Sequence, residues 1–395
     1  VPSLRLGEIV RLLDRRFPPG TAEAWDAVGL VVGDPAAEVR RVLFAVDPVA
    51  ATVREALGCE ADLLVCHHPL LLRAVHGVPA TSAKGRVAHD LIRGGCALYV
   101  AHTNADAAPG GVADCLAAAV GLARTRPLVP LAADPLDALV TYVPVDDAAA
   151  LVAALSAAGA GAIGDYEQCA WTVEGRGQFL PLEGADPTIG SVGRLTHVRE
   201  TRVEMVLPRR LRGDVVAALR AAHPYEEPAF TVVETASLDG PAGHGRVGDL
   251  PGAVTLGEFA ERVARALPGT AQGVRVSGDL AAPVRRVAVS GGSGEGFLAA
   301  VRAVGADVYL CADLRHHPVS ELRDEAGGGP PFLVDVAHFA SEWPWLPRAA
   351  ATLEADVAAA GAEVETRVST LVTDPWTACL DARSPAAPPS PGGTP

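Results

Sequence analysis

The chain has 395 residues, 49% of them hydrophobic and 20% charged, enough apolar material for about two or three domains and too much for wholesale disorder. With 33 Lys+Arg against 47 Asp+Glu the formal net charge is −14, which argues against nucleic acid as a partner because such proteins carry a basic face.

In chain order, residues 3–17 place Leu6, Ile9, Val10, Leu13 and Phe17 at helical spacing behind Ser3, an N-cap type. Residues 25–35 (WDAVGLVVGDP) read as a strand closed by turn residues. The run 41–46 (RVLFAV) is an apolar strand, 49–57 a helix, and 62–66 (DLLVC) a second strand ending at His67-His68-Pro69. Residues 84–92 are helical. The run 96–100 (CALYV) is a third strand, followed by His102-Thr103-Asn104-Ala105-Asp106 and a helix over about 112–120. Unbroken apolar strands alternating with helices imply sheets covered on both faces, a layered α/β fold. Polar residues collect just after the strands, the edge at which open α/β sheets bind ligands.

Residues 127–135 read as a loop. From 138 to 236 the pattern changes to strand, helix, an irregular stretch, strand, helix, strand, the β-α-β-β-α-β order of a ferredoxin-like unit. A Gly-rich hinge is expected at 240–245. The α/β texture then resumes: helix 256–267, strand 284–289, a Gly-rich loop at 290–296, helix near 297–304, strands 307–310 and 332–336, and a last helix over about 347–360. The expected domains are residues 1–130 and 241–378 as two halves of one α/β core, 131–240 as an inserted α+β unit, and 379–395 as a disordered tail rich in Pro, Gly and Ser.

Seven cysteines, an odd number with no C-x-x-C pair, read as free thiols in a reducing compartment. The opening residues lack the apolar run of a signal peptide, and the longest uncharged run, 148–164, is short of a membrane span. A cytoplasmic protein with no membrane contact is expected.

His67 and His68 follow a buried strand. Extended neighbours point to opposite sides, so the pair suits two metal ions better than one; two ordinary loop histidines are an equally good reading of the pair alone. Asp106 ends the next strand and can reach the same cleft, or cap the helix that starts near Gly110. His338 and Glu342 are four apart, one face of a helical turn and a chelating pair; Ser341 as N-cap with Glu342 in the first turn is the alternative. His317 and Glu321 share that spacing and rival them. Three His and two carboxylates suit Zn, Mn or Fe. Gly292, Ser293 and Gly294 lie in a strand-to-helix loop whose N–H groups can cradle a phosphate; a tight turn explains the glycines as well. His223-Pro224-Tyr225-Glu226-Glu227-Pro228 reads best as a Pro-bounded turn.

The stretches WDAVGLVVGDP (25–35), AVDP (45–48), CHHPLL (66–71), KGRVAHDLI (84–92), YVAHTNAD (99–106), VAVSGGSGEGF (287–297), DVYLCADLRHH (307–317) and DVAHFASE (335–342) occur in the order found in one family. The chain resembles the dinuclear metal-centre proteins named for the NGG-interacting factor, also called GTP cyclohydrolase I type 2 homologues. HPYEEPAF (223–230) resembles the signature of the PII-like domain inserted in that family's long members. The resemblance implies His67, His68, Asp106, His338 and Glu342 as ligands of two divalent metal ions per subunit, which favours 338/342 over 317/321 and leaves His317 beside the site. It also implies a toroidal homohexamer with the metal sites facing an inner cavity. Ala337 and Ala312 stand where the family commonly has Gly, exchanges that matter only where φ is positive.

The leading expectation is a metal-dependent hydrolase using a metal-bridging hydroxide, with His317 or His102 moving the proton and the 290–296 segment holding the phosphate of a nucleotide-like substrate. The alternative is a non-catalytic, metal-containing hexameric scaffold or regulatory binding protein.

Overall fold

Nearly unbroken apolar runs are satisfied only in strands covered on both faces. Leu63–Cys66, Ala97–Val100, Val308–Ala312 and Phe332–Val336 are such strands, with every residue buried. The computed structural model describes residues 2–380, and these fall into two units, 2–131 with 241–380, and Ala132–Gly240. The expected tail at 379–395 lies almost wholly outside the described residues.

Among its described residues the first unit holds a two-stranded sheet, Leu4–Arg5 with Glu38–Val39, and two large sheets. One has five strands in the order Glu365–Val368, Arg41–Ala45, Leu63–Cys66, Ala97–Val100, Gly29–Val32. The first four run parallel and the last is antiparallel. The other has six, in the order Val274–Ser277, Phe332–Val336, Val308–Ala312, Pro283–Ser293, Asp239–Thr255, Ala123–Ala132, with its three middle-left strands parallel. Helices cover both. Leu6–Arg16 and Trp345–Ala359 bury Ile9, Leu13, Trp345 and Leu353 in one apolar cluster with Phe44 and Val65. Leu256–Ala266 buries Phe259 and Val263 against Val287 and Val334.

The second unit is a four-stranded antiparallel sheet in the order Phe230–Glu234, Leu136–Pro144, Thr196–Pro208, Trp171–Phe179, with helices Ala148–Ala157 and Arg212–Ala222. The chain order is β-α-β-β-α-β, the ferredoxin-like connection. Leu151, Leu155, Val215 and Leu219 pack on Leu139, Val203, Met205 and Leu207.

Five local expectations are corrected. Residues 127–135 are not a loop: Ala123–Ala132 is a strand at the edge of the six-stranded sheet, where Pro127 and Pro130 are tolerated because an edge strand has donors to spare. The hinge at 240–245 is the start of strand Asp239–Thr255; Gly243 is there because a Cβ would stand 2.4 Å from Val129 O. The irregular stretch contains strand Trp171–Phe179, whose glycines hid its alternation. Only Gly29–Val32 of residues 25–35 is strand. The first helix starts at Leu6, not behind Ser3; Glu8 Oε2 accepts from Arg5 N at 2.8 Å.

One side chain ties the first unit together without touching its cleft. Arg246 is 2% exposed, and all five of its N–H donors are used. They reach both carboxylate oxygens of Asp114 and the carbonyls of Gly243, Gly245 and Ala108.

Candidate metal centre

Each residue of the cleft follows the carboxyl end of a strand, three in the five-stranded sheet and one in the six-stranded sheet. His67 and His68 follow Leu63–Cys66, and Asp47 follows Arg41–Ala45. Asp106 sits in the short helix Thr103–Ala107 behind Ala97–Val100. His338 and Glu342 form the ends of helix His338–Glu342 behind Phe332–Val336. This is the carboxyl edge of parallel strands, where side chains from separate strands converge.

The convergence is close. His68 Nε2 is 3.2 Å from His338 Nε2 and 3.1 Å from Glu342 Oε2. His338 Nε2 is 2.9 Å and His67 Nε2 3.4 Å from Glu342 Oε1, and His67 Nε2 is 3.7 Å from Asp106 Oδ1. His67, His68, Asp106, His338 and Glu342 therefore share one cleft, with the two oxygens of Glu342 facing different imidazoles. His102 joins them: one set of atoms from His67, His68 and His102, and another from His68, His338 and Glu342, are each close enough to hold an ion.

Every imidazole is held by its other nitrogen. Nδ1 of His67 donates to Ala101 O at 2.9 Å, and those of His68, His102 and His338 meet Asp47 Oδ1 at 2.7 Å, Asp26 Oδ1 at 2.8 Å and Asp313 Oδ2 at 2.6 Å. A carboxylate or carbonyl behind an imidazole places the proton on Nδ1 and turns the Nε2 lone pair into the cleft, the arrangement of metal-bound histidines. Asp26 also accepts from Thr103 N and Oγ1 and so caps the helix carrying Asp106. Thr373, from the far end of the chain, donates to Asp47 Oδ2.

The donor set fits a divalent cation. His67 Nε2, Asp106 Oδ1 and Glu342 Oε2 are buried with no hydrogen-bond partner, a cost that a cation removes. Charge tells the same story. Burial opposes protonation of His68 and His338, but the Glu342 carboxylate together with Asp47 behind His68 and Asp313 behind His338 outweighs it and lifts them to about 11 and about 10. Burial raises Asp106 to about 6. Glu342 is held well below the usual range: the surrounding imidazoles outweigh its desolvation. Burial, reinforced by His67, takes His102 down to about 4. The cleft is arranged around missing positive charge.

Gly292 makes the room. Its φ is +61°, and a Cβ there would lie 2.7 Å from Glu342 Oε1 and 3.0 Å from His338 Nε2. The phosphate-cradle expectation for Gly292, Ser293 and Gly294 is corrected: Gly292 N donates to Ser341 Oγ at 2.8 Å and Gly294 N to Ala312 O at 3.2 Å, because Pro283–Ser293 continues as strand through Ser293. Ser341 is accordingly no N-cap; its hydroxyl bridges Gly292 N and His338 O. Asp106 does not cap the next helix either, since Asp114 Oδ2 accepts from Gly110 N.

His317 is not among the residues that wall the cavity beside the cleft. It is exposed in the first turn of helix His316–Glu325, as is Glu321 further along. Asp313, just before that helix, has φ +57° and holds His338 through its Oδ2. An αL residue is rare outside Gly, and Asp is among the types that tolerate it. Ala337 has φ −65°, and Ala312 is a strand residue outside the positive-φ set, so neither strains the backbone. A cavity of 520 Å³ opens beside the cleft, walled by Trp25, His102, Asp106, Gly292, His338 and Glu342. Sequence reasoning missed Asp26, Asp47 and Thr373, and the role of Asp313 in holding His338. The three aspartates lie in the stretches 25–35, 45–48 and 307–317, but nothing there says what each carboxylate would touch; Thr373 lies in none of the stretches.

Among the described residues no helix is long and apolar enough to cross a membrane. The cysteines are free, with Cys66, Cys96, Cys115 and Cys311 buried.

Residues 4–375 match the family model described as Duf34/NIF3 (NGG1p interacting factor 3). A Mycobacterium tuberculosis protein named GTP cyclohydrolase 1 type 2 homolog is 49% identical over 376 residues, covering 95% of this chain and 97% of that protein. The crystal structure of a Bacillus cereus protein related to NIF3 superposes with TM-score 0.77 at 35% identity, over 95% of this chain and all (100%) of that one. The Staphylococcus aureus protein SA1388 superposes with TM-score 0.82 at 28% identity, over 96% of this chain and 100% of its own.

Proposed function

The chain belongs to the Duf34/NIF3 family, and from that premise we propose that it is a metal-dependent hydrolase acting on a nucleotide-like or phosphorylated substrate. His67, His68, Asp106, His338 and Glu342 hold two divalent ions, of Zn, Mn or Fe. The observation that carries the reading is the set of three buried, unpartnered atoms, His67 Nε2, Asp106 Oδ1 and Glu342 Oε2, in one cleft where His67 Nε2 stands 3.7 Å from Asp106 Oδ1 and 3.4 Å from the other Glu342 oxygen, Oε1. Ions bound there supply Lewis acidity and bring the pKa of water towards neutrality.

The protein's own groups do the rest. Asp26, Asp47 and Asp313 fix the imidazoles, so no reorganisation is needed on binding. His102 keeps Nδ1 on Asp26 and offers Nε2 towards the cavity, where it can take a proton. The adjoining cavity admits the substrate, and the name borne by the mycobacterial relative supports a nucleotide-like one. Self-association into a homohexamer is part of the proposal, checked by light scattering.

The test begins with elemental analysis of protein purified without chelator or affinity tag. Wild type is expected to carry metal that His67→Ala/His338→Ala loses. Metal-loaded protein is then screened for turnover of nucleotides and phosphate esters, with His68→Ala losing turnover but keeping assembly. Wild type that stays metal-free after reconstitution with Zn, Mn and Fe sinks the reading. Loaded protein without turnover, whose assembly collapses on chelation, moves it to a metal-containing scaffold.

A further inference from the structure

Strand Glu365–Val368 lies at the edge of the five-stranded sheet, beside Arg41–Ala45. The residues that follow add little to the core. Leu371 and Val372 are 40% and 51% exposed, so apolar burial does not hold this segment in place. Polar contacts do. Ser369 is buried and uses its backbone and its hydroxyl together. Its N donates to Phe44 O at 2.8 Å, and its O accepts from Trp343 Nε1 at 3.0 Å. Its Oγ donates to Glu55 Oε2 at 2.5 Å and accepts from Leu371 N at 3.2 Å. Four residues on, the hydroxyl of Thr373 donates to Asp47 Oδ2.

The other oxygen of Asp47, Oδ1, accepts from His68 Nδ1 at 2.7 Å. The three neighbouring supports differ from this one in reach. His67 is held by a backbone carbonyl, Ala101 O, which needs no further fixing. Asp26, behind His102, is itself held by the adjoining Thr103 N and Oγ1. Asp313, behind His338, stands 52% exposed. Asp47 alone is completed from a segment 326 residues away. A carboxylate bonded through one oxygen can turn about its last torsion, which is broad. A second hydrogen bond on the other oxygen fixes the carboxylate plane, and with it the angle at which the imidazole is presented.

We propose that Thr373 is a positioning residue of the metal centre: through Asp47 it sets the direction of His68 Nε2, so docking of residues 369–373 and metal binding favour each other. The proposal rests on the metal-centre reading given above, because His68 enters it as a ligand. Coupling of this kind is reciprocal. Whatever factor the docked segment adds to metal affinity, bound metal adds to the docking of the segment.

The test is competitive chelator titration of the full-length protein with Zn and with Mn, joined to hydrogen exchange of residues 369–374 read by mass spectrometry. Thr373→Val keeps the shape and removes the hydroxyl; it should weaken metal binding about tenfold, the lower end of the cost of losing a group behind a metal ligand. Thr373→Ser should bind as wild type does. Adding Thr373→Val to Asp47→Ala should cost nothing further, because a residue that acts through Asp47 has no second route. Bound metal should slow exchange of the segment about tenfold in wild type and in Thr373→Ser, and leave it unchanged in Thr373→Val. A further loss in the double variant overturns the proposal, as does Thr373→Ser behaving like Thr373→Val, or wild-type exchange indifferent to metal. A lower metal-free melting temperature of Thr373→Val with unchanged metal affinity overturns it too, and assigns the hydroxyl to tethering the chain alone. Wild type that takes up neither metal sinks the metal-centre reading itself; wild type that loads fully, with Thr373→Val binding as tightly, sinks this proposal by itself.

Discussion

His67 and His223 are both buried, at 0% and 7% exposure, and both follow from ordinary sequence patterns. In the second unit His223 finds a partner for each nitrogen, Tyr142 O and Tyr225 N. In the first, His67 finds Ala101 O for Nδ1 and nothing for Nε2. The carboxylates divide in the same way. Asp137 is fully buried, and Arg209 and Arg212 take its two oxygens at 3.0 and 2.7 Å, which holds it below the usual range. Asp106 keeps an unpartnered oxygen and is pushed up to about 6. A satisfied buried polar group is structure; an unsatisfied one in a cluster of donors is a demand for a ligand.

That contrast can be broken by substitution, and the largest effect is expected where a satisfied charge is removed. Arg246→Met leaves Asp114 half-buried with no cationic partner, and breaking such a pair costs about 3–5 kcal/mol; denaturant unfolding of the purified variant measures it. A loss below 1 kcal/mol, the scale of an exposed pair, would show that the five hydrogen bonds are dispensable. Metal removal comes next. Ions at about 100–1,000 times their dissociation constant stabilise the folded state by about 3–4 kcal/mol, so chelation should lower the melting transition of the first unit and leave that of the second in place. A single transition that moves as a whole would deny the separation between the units.

Gly292→Ala sharpens the comparison inside the cleft. The added methyl meets Glu342 and His338 and sits at φ +61°, so metal affinity should fall about 10- to 100-fold, as when a residue supporting the ligands is lost. Stability should fall by only about 1 kcal/mol. Competitive chelator titration reads the first and thermal melting the second; unchanged affinity would show that Glu342 is not a ligand.

The smallest effect concerns Asp137. Its pKa is lowered on folding, chiefly by the Arg212 hydrogen bond. Its contribution is therefore full above the unfolded value, about 3.9, and lost as pH falls through the depressed folded value. The melting difference between wild type and Asp137→Asn should be full at pH 6 and shrink below about pH 4. A difference that persists undiminished to about pH 2 would assign it to packing rather than to charge.

Much of this was legible in the residues. The apolar runs 62–66, 96–100 and 332–336 are strands because no other element buries both faces, and alternating periodicities mark three strands and both helices of the second unit. The strand at 171–179 was not legible. Gly175 and Gly177 carry no side chain to show a period, and its exposed Trp171 and Val173 look like loop residues. Nor was the fate of the 290–296 glycines. A glycine that makes a turn and one that clears space for a carboxylate from a distant helix are the same letter.

The sequence by itself determined which residues stand at the ends of buried strands: His67 and His68, Asp106, His338 and Glu342. This is local information, carried by hydrophobic runs and by the i, i+4 spacing of a single helical turn. Only the tertiary structure decided which of them are held, and how. Asp47, Asp26 and Asp313 lie 21, 76 and 25 residues from the imidazoles they orient, and Thr373 lies 326 residues from Asp47. His317 shows the same division from the other side. Its spacing to Glu321 equals that of His338 to Glu342, but both stand exposed on helix His316–Glu325, and no periodicity records whether a helical pair meets the partners that would complete a site.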